Sequence, residues 1–572
     1  MRPIKAPAVF DGFLRAVDGH LVDGLGQRRL LRGVGLGSWL LAEGYMWRFG
    51  NQGPQSPREI EQFVTGLVGD EQARRFWTGY RDNFITEADI EQIAAEGMDH
   101  VRLPINARLV IEDSGVLLES GLLYIDSLIE WCRRHHLWVI LDLHGAPGGQ
   151  TGTNIDDSPN GEPDLFAHAH FQDLTVVLWE ALAKRYQDEP VVAGYDLLNE
   201  PLPGEWQARY STELVLLYKR ITAAIRAHDV NHLIIYEGTH WATNWSIFEE
   251  SWDENSMLQF HKYWSTPDRA SIEQFLAVGQ RLGLPIYAGE VGENNLEWLQ
   301  LVFQLFEDCD ISWNLWTWKK VDSFTSPCSV IAPPGWYTLV AAAEGREAAP
   351  ADAQAILDRY FQALPIGRCH YRKDVLNSVM RKAPLRISAV GYGHRGPGVS
   401  YGTSGSPSPH AEFRTADAVT VVARSDQATA LAWDHHGGSP RSVDQELQVV
   451  LSAADWLTYE VVTVDCGFLA VEVVLASNTS EMREPCLLVK LDGRALPAVQ
   501  AGDRLEARSP STIAAGVHII RLLALRSGTR VSSLSIAVVR GLPNVADSSE
   551  RCSIPAVGGP TATTGQGGRI VG

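Results

Sequence analysis

Two glutamates in this sequence stand where carboxyl groups could do chemistry. Glu200 follows the apolar segment 192–198, and Glu290 follows the apolar segment 285–288. Cleavage of a glycosidic bond requires two carboxyl groups flanking a cleft. One protonates the leaving oxygen, and the other attacks or stabilises the anomeric carbon. These roles need different pKa values, so we expect Glu200 and Glu290 to lie in different environments.

Eight short apolar segments supply the elements that would position these residues. They alternate with amphipathic segments, such as 86–96 and 171–186, that have helical spacing. Repeated strand–helix alternation predicts the α/β class and a (β/α)8 TIM barrel, whose active site lies at the C-terminal ends of the strands. The predicted strands are 30–36, 100–104, 137–143, 192–198, 232–236, 257–261, 285–288 and 311–316.

Polar and aromatic residues follow most of the predicted strands, and we expect them to converge on one mouth of the barrel. Trp316 and Trp318 are expected on one face because strand side chains alternate. Asp142, inside a strand, is expected to be structural, and Glu237 to support other groups. The remaining residues at these strand ends are Arg102, His144, Asn199, His240, His261 and Tyr263.

Five motifs in barrel order resemble glycoside hydrolase family 5, and they are most similar to its exo-β-1,3-glucanase branch. The resemblance spans roughly residues 13–325. Ser38 stands where the branch typically has glycine, and Gly35 stands where it typically has asparagine. The motifs are RGVGLGSWLL at 32–41, VRLP at 101–104, DLHGAPG at 142–148, LLNEP at 197–201 and AGE at 288–290.

The resemblance implies a retaining mechanism without a metal or cofactor. Glu290 would be the nucleophile that forms a covalent glycosyl-enzyme, and Glu200 the acid/base that then activates water. Arg102 would orient Glu290 and hold it ionised, and Asn199 would donate to the sugar 2-hydroxyl. Tyr263 would hydrogen-bond the nucleophile. The implied substrate-binding residues are Glu43, Arg102, His144, Asn199, His261, Tyr263, Trp316 and Trp318.

The expected activity is exo-cleavage of β-glucans or β-glucosides. The aromatic-rich segment 44–83 is predicted to be a long loop. Such a loop could close one end of the cleft or change the substrate specificity. A β-mannosidase or another β-glycosidase of this family is therefore an alternative, as is a non-catalytic carbohydrate-binding protein. A metal-dependent hydrolase would need a ligand set such as His-x-His, and His168 and His170 form one only in a predicted loop.

Charge and composition exclude other function classes. Lys and Arg total 49 against 69 Asp and Glu, giving a net charge of −20, which disfavours nucleic acid as a partner. The partner that the resemblance implies is a carbohydrate substrate. No apolar run approaches the roughly 18 residues of a membrane span. The seven scattered cysteines suggest no disulfide framework, and no apolar leader segment follows Met1. We expect a cytoplasmic protein, or a secreted one if a leader was removed.

We divide the chain into three parts. Residues 1–383 would form the catalytic barrel with an N-terminal lead-in and C-terminal helices, 384–542 an all-β sandwich, and 543–572 a flexible tail rich in Gly, Thr, Ser and Pro. The second part resembles a family 6-type carbohydrate-binding module. Its candidate sugar platforms are Tyr401 and Trp433, whereas Trp456 and Tyr459 are expected in the core.

Overall fold

Eight parallel strands close into a barrel in the computed structural model, which describes residues 8, 10–404, 412–425, 431–475 and 485–540. All eight predicted strands are present and pair in the expected circular order. We number them barrel strands one to eight. Their bounds are Arg32–Gly35, His100–Asn106, Trp138–Gly145, Val192–Asp196, Leu233–Glu237, Ser256–Lys262, Ile286–Gly292 and Ser312–Trp316.

The barrel strands are buried on both faces, because helices cover the outside and side chains fill the inside. Polar residues form part of the filling. At one level His100 Nε2 lies 2.7 Å from the Tyr287 hydroxyl. Gly33 leaves room for that histidine, since a Cβ at this position would lie 2.2 Å from the ring. Arg102 points inward one layer further along the same strand, toward the mouth.

Helices surround the barrel where the periodicity predicts them. The helix Glu87–Ala95 begins after Thr86, whose side chain and that of Asp89 form a capping box. The other helices of eight or more residues around the barrel are Pro57–Val68, Asp70–Phe84, Glu119–Arg134, Ala169–Tyr186, Trp206–Arg226, Glu273–Leu282, Leu296–Asp308, Trp336–Ala343, Ala353–Ala363 and Lys373–Met380.

The prediction of a long loop at 44–83 is wrong, because most of this segment is helical. Ser56 and Glu59 form a capping box, and Pro57 occupies the first helical position, where its missing N–H is harmless. Trp47 does not reach a cleft. It is buried in an aromatic cluster with residues of this segment and of the later helices, namely Phe49, Phe76, Trp77, Tyr80, Trp336 and Tyr360.

Two antiparallel sheets form the C-terminal domain, as predicted for an all-β sandwich. Alternate residues of the long strands are buried, as in Phe468–Leu475. One sheet contains Leu385–Ser388, Thr420–Ala423, Leu447–Leu451, Phe468–Leu475, Ala498–Ala501, Arg504–Arg508 and Thr529–Val539; the other contains Tyr401–Gly402, Trp456–Thr463, Leu487–Leu491, Arg494–Ala495 and Gly516–Ala524.

Neither candidate sugar platform of this domain is exposed. Tyr401 is buried and stacks edge-on against Tyr392. Trp433 is buried between Phe413 and the guanidinium of Arg441. Both side chains therefore pack within the described part of the C-terminal domain.

The predicted tail 543–572 lies outside the described residues. Within the part of the chain that the structure describes, no helix combines the length and apolar character needed to cross a bilayer.

A buried carboxylate ties the barrel to the C-terminal domain. Glu307 accepts hydrogen bonds from Arg32 Nε at 2.8 Å and from Arg381 Nη2 at 2.7 Å. Arg381 also donates to Glu460 of the C-terminal domain at 3.0 Å. Burial alone would raise the pKa of Glu307, but the two arginines hold it well below its ordinary value. Glu307 is thus ionised in the folded protein at neutral pH.

We expect Glu307→Gln to lower the free energy of unfolding by about 3 kcal/mol, because it leaves the buried Arg381 and the partly buried Arg32 without their shared anion. Urea denaturation at pH 7 measures the change. The control is Glu71→Gln, which breaks an exposed ion pair with Arg75 and should cost less than about 1 kcal/mol. Equal effects of the two substitutions would contradict this account.

Candidate active site

The guanidinium of Arg102 forms the base of the barrel mouth and is fully buried. Carboxylate oxygens of Asp142, Asp196, Glu237 and Glu290 lie 3.2, 2.8, 3.1 and 2.6 Å from its nitrogens. These acids come from barrel strands three, four, five and seven, so one cation organises half of the barrel. One guanidinium cannot neutralise four carboxylates. Burial raises the pKa of Asp196 well above its ordinary value, which favours the neutral form of this acid.

Both oxygens of Glu290 accept hydrogen bonds. Arg102 Nη1 donates to Oε1 at 2.6 Å, and the Tyr263 hydroxyl donates to Oε2 at 2.7 Å. Burial raises the pKa of Glu290, while the charges of His261 and Arg102 act in the opposite direction. The carboxylate is therefore held in one orientation, with donors that favour its ionised form.

Glu200 stands beside Glu290 in a different setting. Its Oε1 lies 2.6 Å from His261 Nδ1, and no guanidinium contacts it within the described residues. Its backbone adopts φ 46°, and its N–H donates to Glu237 Oε2 at 2.7 Å. A left-handed φ is unfavourable for a residue other than glycine, so Glu237 stabilises a strained turn that aims Glu200 into the mouth.

The two carboxyl groups are close together. Single oxygens of Glu200 and Glu290 and a ring nitrogen of His261 all lie within 4.8 Å of one another. Burial alone would lower the pKa of His261, but Glu237, Glu290 and Glu200 reverse this and raise it well above its ordinary value. The imidazolium partly balances the acids at the mouth.

His144 and Asn199 are oriented through Arg102. The guanidinium can only donate, so Asn199 Oδ1 faces it at 2.9 Å and Asn199 Nδ2 faces His144 Nε2 at 3.3 Å. His144 Nε2 must then accept, which places the ring proton on Nδ1, 2.7 Å from Asp142 Oδ2. Burial lowers the pKa of His144 to about 4, in agreement with this neutral tautomer. Asp142 thus has the structural role expected for it.

Trp316 and Glu43 lie beside the other residues of the barrel mouth. Trp316 lies parallel to His144, with the ring centroids 5.5 Å apart, and its Nε1 donates to the Tyr45 hydroxyl at 2.9 Å. Gly35 makes room for the indole, since a Cβ there would lie 2.6 Å from Trp316 Cε3. This close approach is a physical reason for the departure from the family pattern at position 35.

The carboxyl group of Glu43 is buried with Oε1 unpartnered among the described residues. Burial, followed by the charges of Glu290, Glu293 and Glu200, raises the pKa of Glu43 well above its ordinary value. A buried oxygen without a donor is suited to accept a hydrogen bond from a ligand hydroxyl.

Trp318 does not belong to this group, and the prediction that it shares a face with Trp316 is wrong. It is fully buried, and its Nε1 donates to Asp89 Oδ1 at 2.9 Å, on the side of the surrounding helices. Barrel strand eight ends at Trp316, so the alternation of strand side chains does not extend to Trp318.

The sequence reasoning missed several residues that position the site. Asp196 binds Arg102 Nε, and Gln259 donates to Glu237 and lies 3.0 Å from His261 Nε2. Both side chains are polar and lie inside otherwise apolar strands. A polar side chain buried in this way needs a partner, so its position in the strand is the signal that could have identified it. Gln150 has no such signal, since it lies in a loop. Its amide group bonds Ala146, His144 and Asn199 through their backbone atoms.

Glu200, His261 and Glu290 are close enough to hold a metal ion, but their chemistry does not suit one. Glu290 already accepts from Arg102 and Tyr263, and His261 Nδ1 is engaged with Glu200. A histidine ligand must be neutral, whereas the raised pKa of His261 keeps it protonated.

Comparison with known proteins shows what the barrel is similar to. Residues 61–322 match the family model described as Cellulase (glycosyl hydrolase family 5). A "Beta-xylosidase" of Phanerodontia chrysosporium is 29% identical over 348 residues, which cover 54% of this chain and 71% of that protein. A "Probable glucan 1,3-beta-glucosidase A" of Emericella nidulans is 32% identical over 239 residues, 41% of this chain and 57% of that protein. The chain thus spans little more than half the length of the latter relative.

Two solved structures show weaker likeness. One is described as endogalactoceramidase, with 15% identity and a TM-score of 0.46, covering 90% of this chain and 100% of that one. The other is Thermotoga maritima Cel5A in complex with a mannotriose substrate, with 17% identity and a TM-score of 0.40, covering 61% and 97%.

The model matched over residues 61–322 of the barrel and the curated relatives together identify the chain as a glycoside hydrolase.

Proposed function

We propose that this chain is a retaining β-glycosidase acting by double displacement. The observation that carries the proposal is that one carboxylate oxygen of Glu200 and one of Glu290 lie within 4.8 Å of each other. Retaining glycosidases place their carboxyl groups about 5–5.5 Å apart, whereas inverting enzymes leave about 6.5–9.5 Å for a water molecule. The names of the curated relatives support the β-glycosidase class.

In the first step, the Glu290 carboxylate attacks the anomeric carbon as the glycosidic C–O bond breaks. Glu200 gives its proton to the leaving oxygen, so the aglycone departs as a neutral alcohol and a glycosyl ester of Glu290 remains. In the second step, Glu200 takes a proton from water, and the resulting hydroxide displaces Glu290. Two inversions at one carbon retain the β configuration.

The surroundings of the two acids support these roles. The nucleophile position needs an ionised carboxylate, and Glu290 accepts from the cation Arg102 and from Tyr263. The acid/base position needs a carboxyl group that can exchange its proton, and Glu200 contacts His261 rather than the guanidinium of Arg102. Asn199 Nδ2 is the donor available for the sugar 2-hydroxyl.

For the substrate we propose exo-cleavage of β-glucans or β-glucosides. Glu43 and Trp316 are each only 2% exposed, and a site that is closed at these two side chains would suit one terminal sugar. The relative named for glucan 1,3-beta-glucosidase activity supports a glucoside. The relative named for β-xylosidase activity makes a β-xyloside the second candidate.

We expect Glu290→Gln to reduce kcat on an aryl β-glucoside by at least about 10³-fold, because the neutral amide is a poor nucleophile. The liberated phenol measures the rate. Glu249→Gln, at an exposed position, is the control and should retain the parent rate. Turnover near the parent rate in Glu290→Gln would overturn the assignment, and binding without turnover in the unaltered protein would favour the non-catalytic alternative.

Glu200→Ala should be slow on substrates with poor leaving groups, and on an activated aryl β-glucoside, which forms the glycosyl-enzyme without acid assistance, it should be rescued by azide. The small anion can enter the space left by the side chain and attack the glycosyl-enzyme without base assistance. Rate recovery of roughly 10²-fold is expected, because general acid–base catalysis contributes about 10²–10⁴-fold. Proton NMR of the product should show a β-glycosyl azide, and an α-glycosyl azide would exclude retention.

Tyr263→Phe removes a donor that stabilises ionised Glu290. The pKa of Glu290 should therefore rise further, and the acidic limb of the kcat/KM profile should move to higher pH. Below that limb the nucleophile is protonated, so the loss of activity should be largest in acid and smaller in the alkaline range. A uniform loss at every pH would show that the hydroxyl does not tune Glu290.

A further inference from the structure

A segment of the C-terminal domain, residues 433–441, lies on the rim of the barrel mouth. We refer to it as the rim segment. It contacts the loops that follow three successive barrel strands. The His436 ring packs against Trp264 after strand six, and the Trp433 carbonyl accepts a hydrogen bond from Asn294 after strand seven. Gly438 packs against Phe324 after strand eight. This is the side of the mouth on which strand seven carries Glu290.

The rim segment is anchored at both ends. Asn294 Nδ2 donates to the Trp433 carbonyl at 2.8 Å, and Asn294 is almost completely buried. At the other end, Arg441 Nε lies 3.1 Å from Glu297 Oε2, and its guanidinium lies over the Trp433 ring at 4.3 Å. Its position relative to the barrel is therefore fixed by buried contacts.

A line of rings runs from Glu290 to the rim segment. Tyr263 donates to Glu290, its ring lies 5.4 Å from that of Trp264, and the Trp264 ring lies 3.9 Å from that of His436. Trp264 is 42% exposed and the His436 side chain 46% exposed. The line thus begins at the reacting carboxylate and ends as open ring surface.

Neighbouring groups hold the exposed rings in place. Trp264 Nε1 donates to the Glu293 carbonyl at 3.1 Å. His436 Nε2 lies 2.7 Å from Asp434 Oδ1. Both rings are thereby oriented before any ligand arrives, which lowers the entropy lost on binding.

We propose that Trp264 and the rim-segment residue His436 together bind the leaving-group part of the substrate and so determine specificity. The inference rests on the proposed function. The terminal sugar would occupy the closed end beside Glu43 and Trp316, so the rest of the substrate must extend toward the open side. Exposed rings there suit the apolar face of a second ring, supplied either by another sugar or by an aryl aglycone.

The C-terminal domain then has a role that its buried Tyr401 and Trp433 do not provide. It adds one wall to the binding site of the barrel. Gly438 makes the close contact possible: its φ is +83°, and a Cβ there would lie 3.2 Å from Phe324 Cβ. A side chain at this position would push the rim segment away from the mouth.

The test compares leaving groups of different size on the full chain. The substrates are β-glucosyl fluoride, which has no ring in its leaving group, an aryl β-glucoside, and a β-1,3-linked glucose disaccharide. The variants are His436→Ala and Trp264→Ala, with Trp264→Phe as the substitute if the alanine variant does not fold. The matched control is His136→Ala, an exposed histidine stacked on Phe10 at 6.3 Å beside the N-terminal end of barrel strand three.

We expect His436→Ala and Trp264→Ala to lower kcat/KM roughly 3- to 10-fold on a substrate whose leaving-group ring binds to Trp264 and His436. On the fluoride the loss should be less than about twofold. A loss on the disaccharide alone identifies a sugar, and a loss on the aryl glucoside as well identifies any flat ring. Gly438→Ala should reproduce the pattern, and His136→Ala should not.

Equal losses on all three substrates, or no loss on either ring-bearing substrate, would overturn the inference while leaving the hydrolase intact. Failure of the unaltered protein to hydrolyse any of the three substrates would instead count against the proposed function itself.

Discussion

The catalytic end of the barrel depends on one buried cation, Arg102. Its guanidinium reaches acids from barrel strands three, four, five and seven, and it fixes the amide of Asn199 and through that amide the tautomer of His144. A buried guanidinium keeps its charge at any physiological pH and offers five donors in fixed directions. A lysine could not satisfy so many partners at once, since its donors radiate from one nitrogen.

The two glutamates differ because their neighbours differ. Glu290 belongs to the Arg102 cluster and has both oxygens engaged, whereas Glu200 stands on a strained turn and contacts His261. Glu237 connects the two environments, because one of its oxygens contacts Arg102 and the other accepts from the Glu200 N–H. The backbone and the buried ion pairs therefore give the two carboxyl groups the different surroundings that their proposed roles require.

Much of this arrangement could be predicted from the sequence. Barrel strands are short and apolar, and the residues that follow them must meet at one end, so the positions of Glu200, Glu290, Arg102, Asn199 and Tyr263 follow from strand order alone. These rules apply to regular structure. They fail at Trp318, which lies two residues beyond the end of barrel strand eight and contacts the surrounding helices.

Other features depend on tertiary contacts that a linear pattern does not contain. The segment 44–83 carries helix start signals at Ser56 and Glu59, but its many aromatic residues suggested a loop beside the cleft. In the structure these aromatic residues pack into a common core. Asp196 could have been recognised as a buried charge, although its partner Arg102 is distant in the chain. The rim segment was beyond prediction, because nothing local links His436 to Trp264.

The Glu307 network has a consequence for the architecture of the chain. Arg381, at the end of the last helix that packs on the barrel, joins Glu307 of the barrel to Glu460 of the β domain, and the strand Leu385–Ser388 follows within a few residues. Separating the barrel from the β domain would expose Arg381 and Asn294 to water. Each would lose the hydrogen-bond partner that it has in the β domain. A barrel exchanged for this one would therefore have to supply matching partners for Glu460 and for the Trp433 carbonyl.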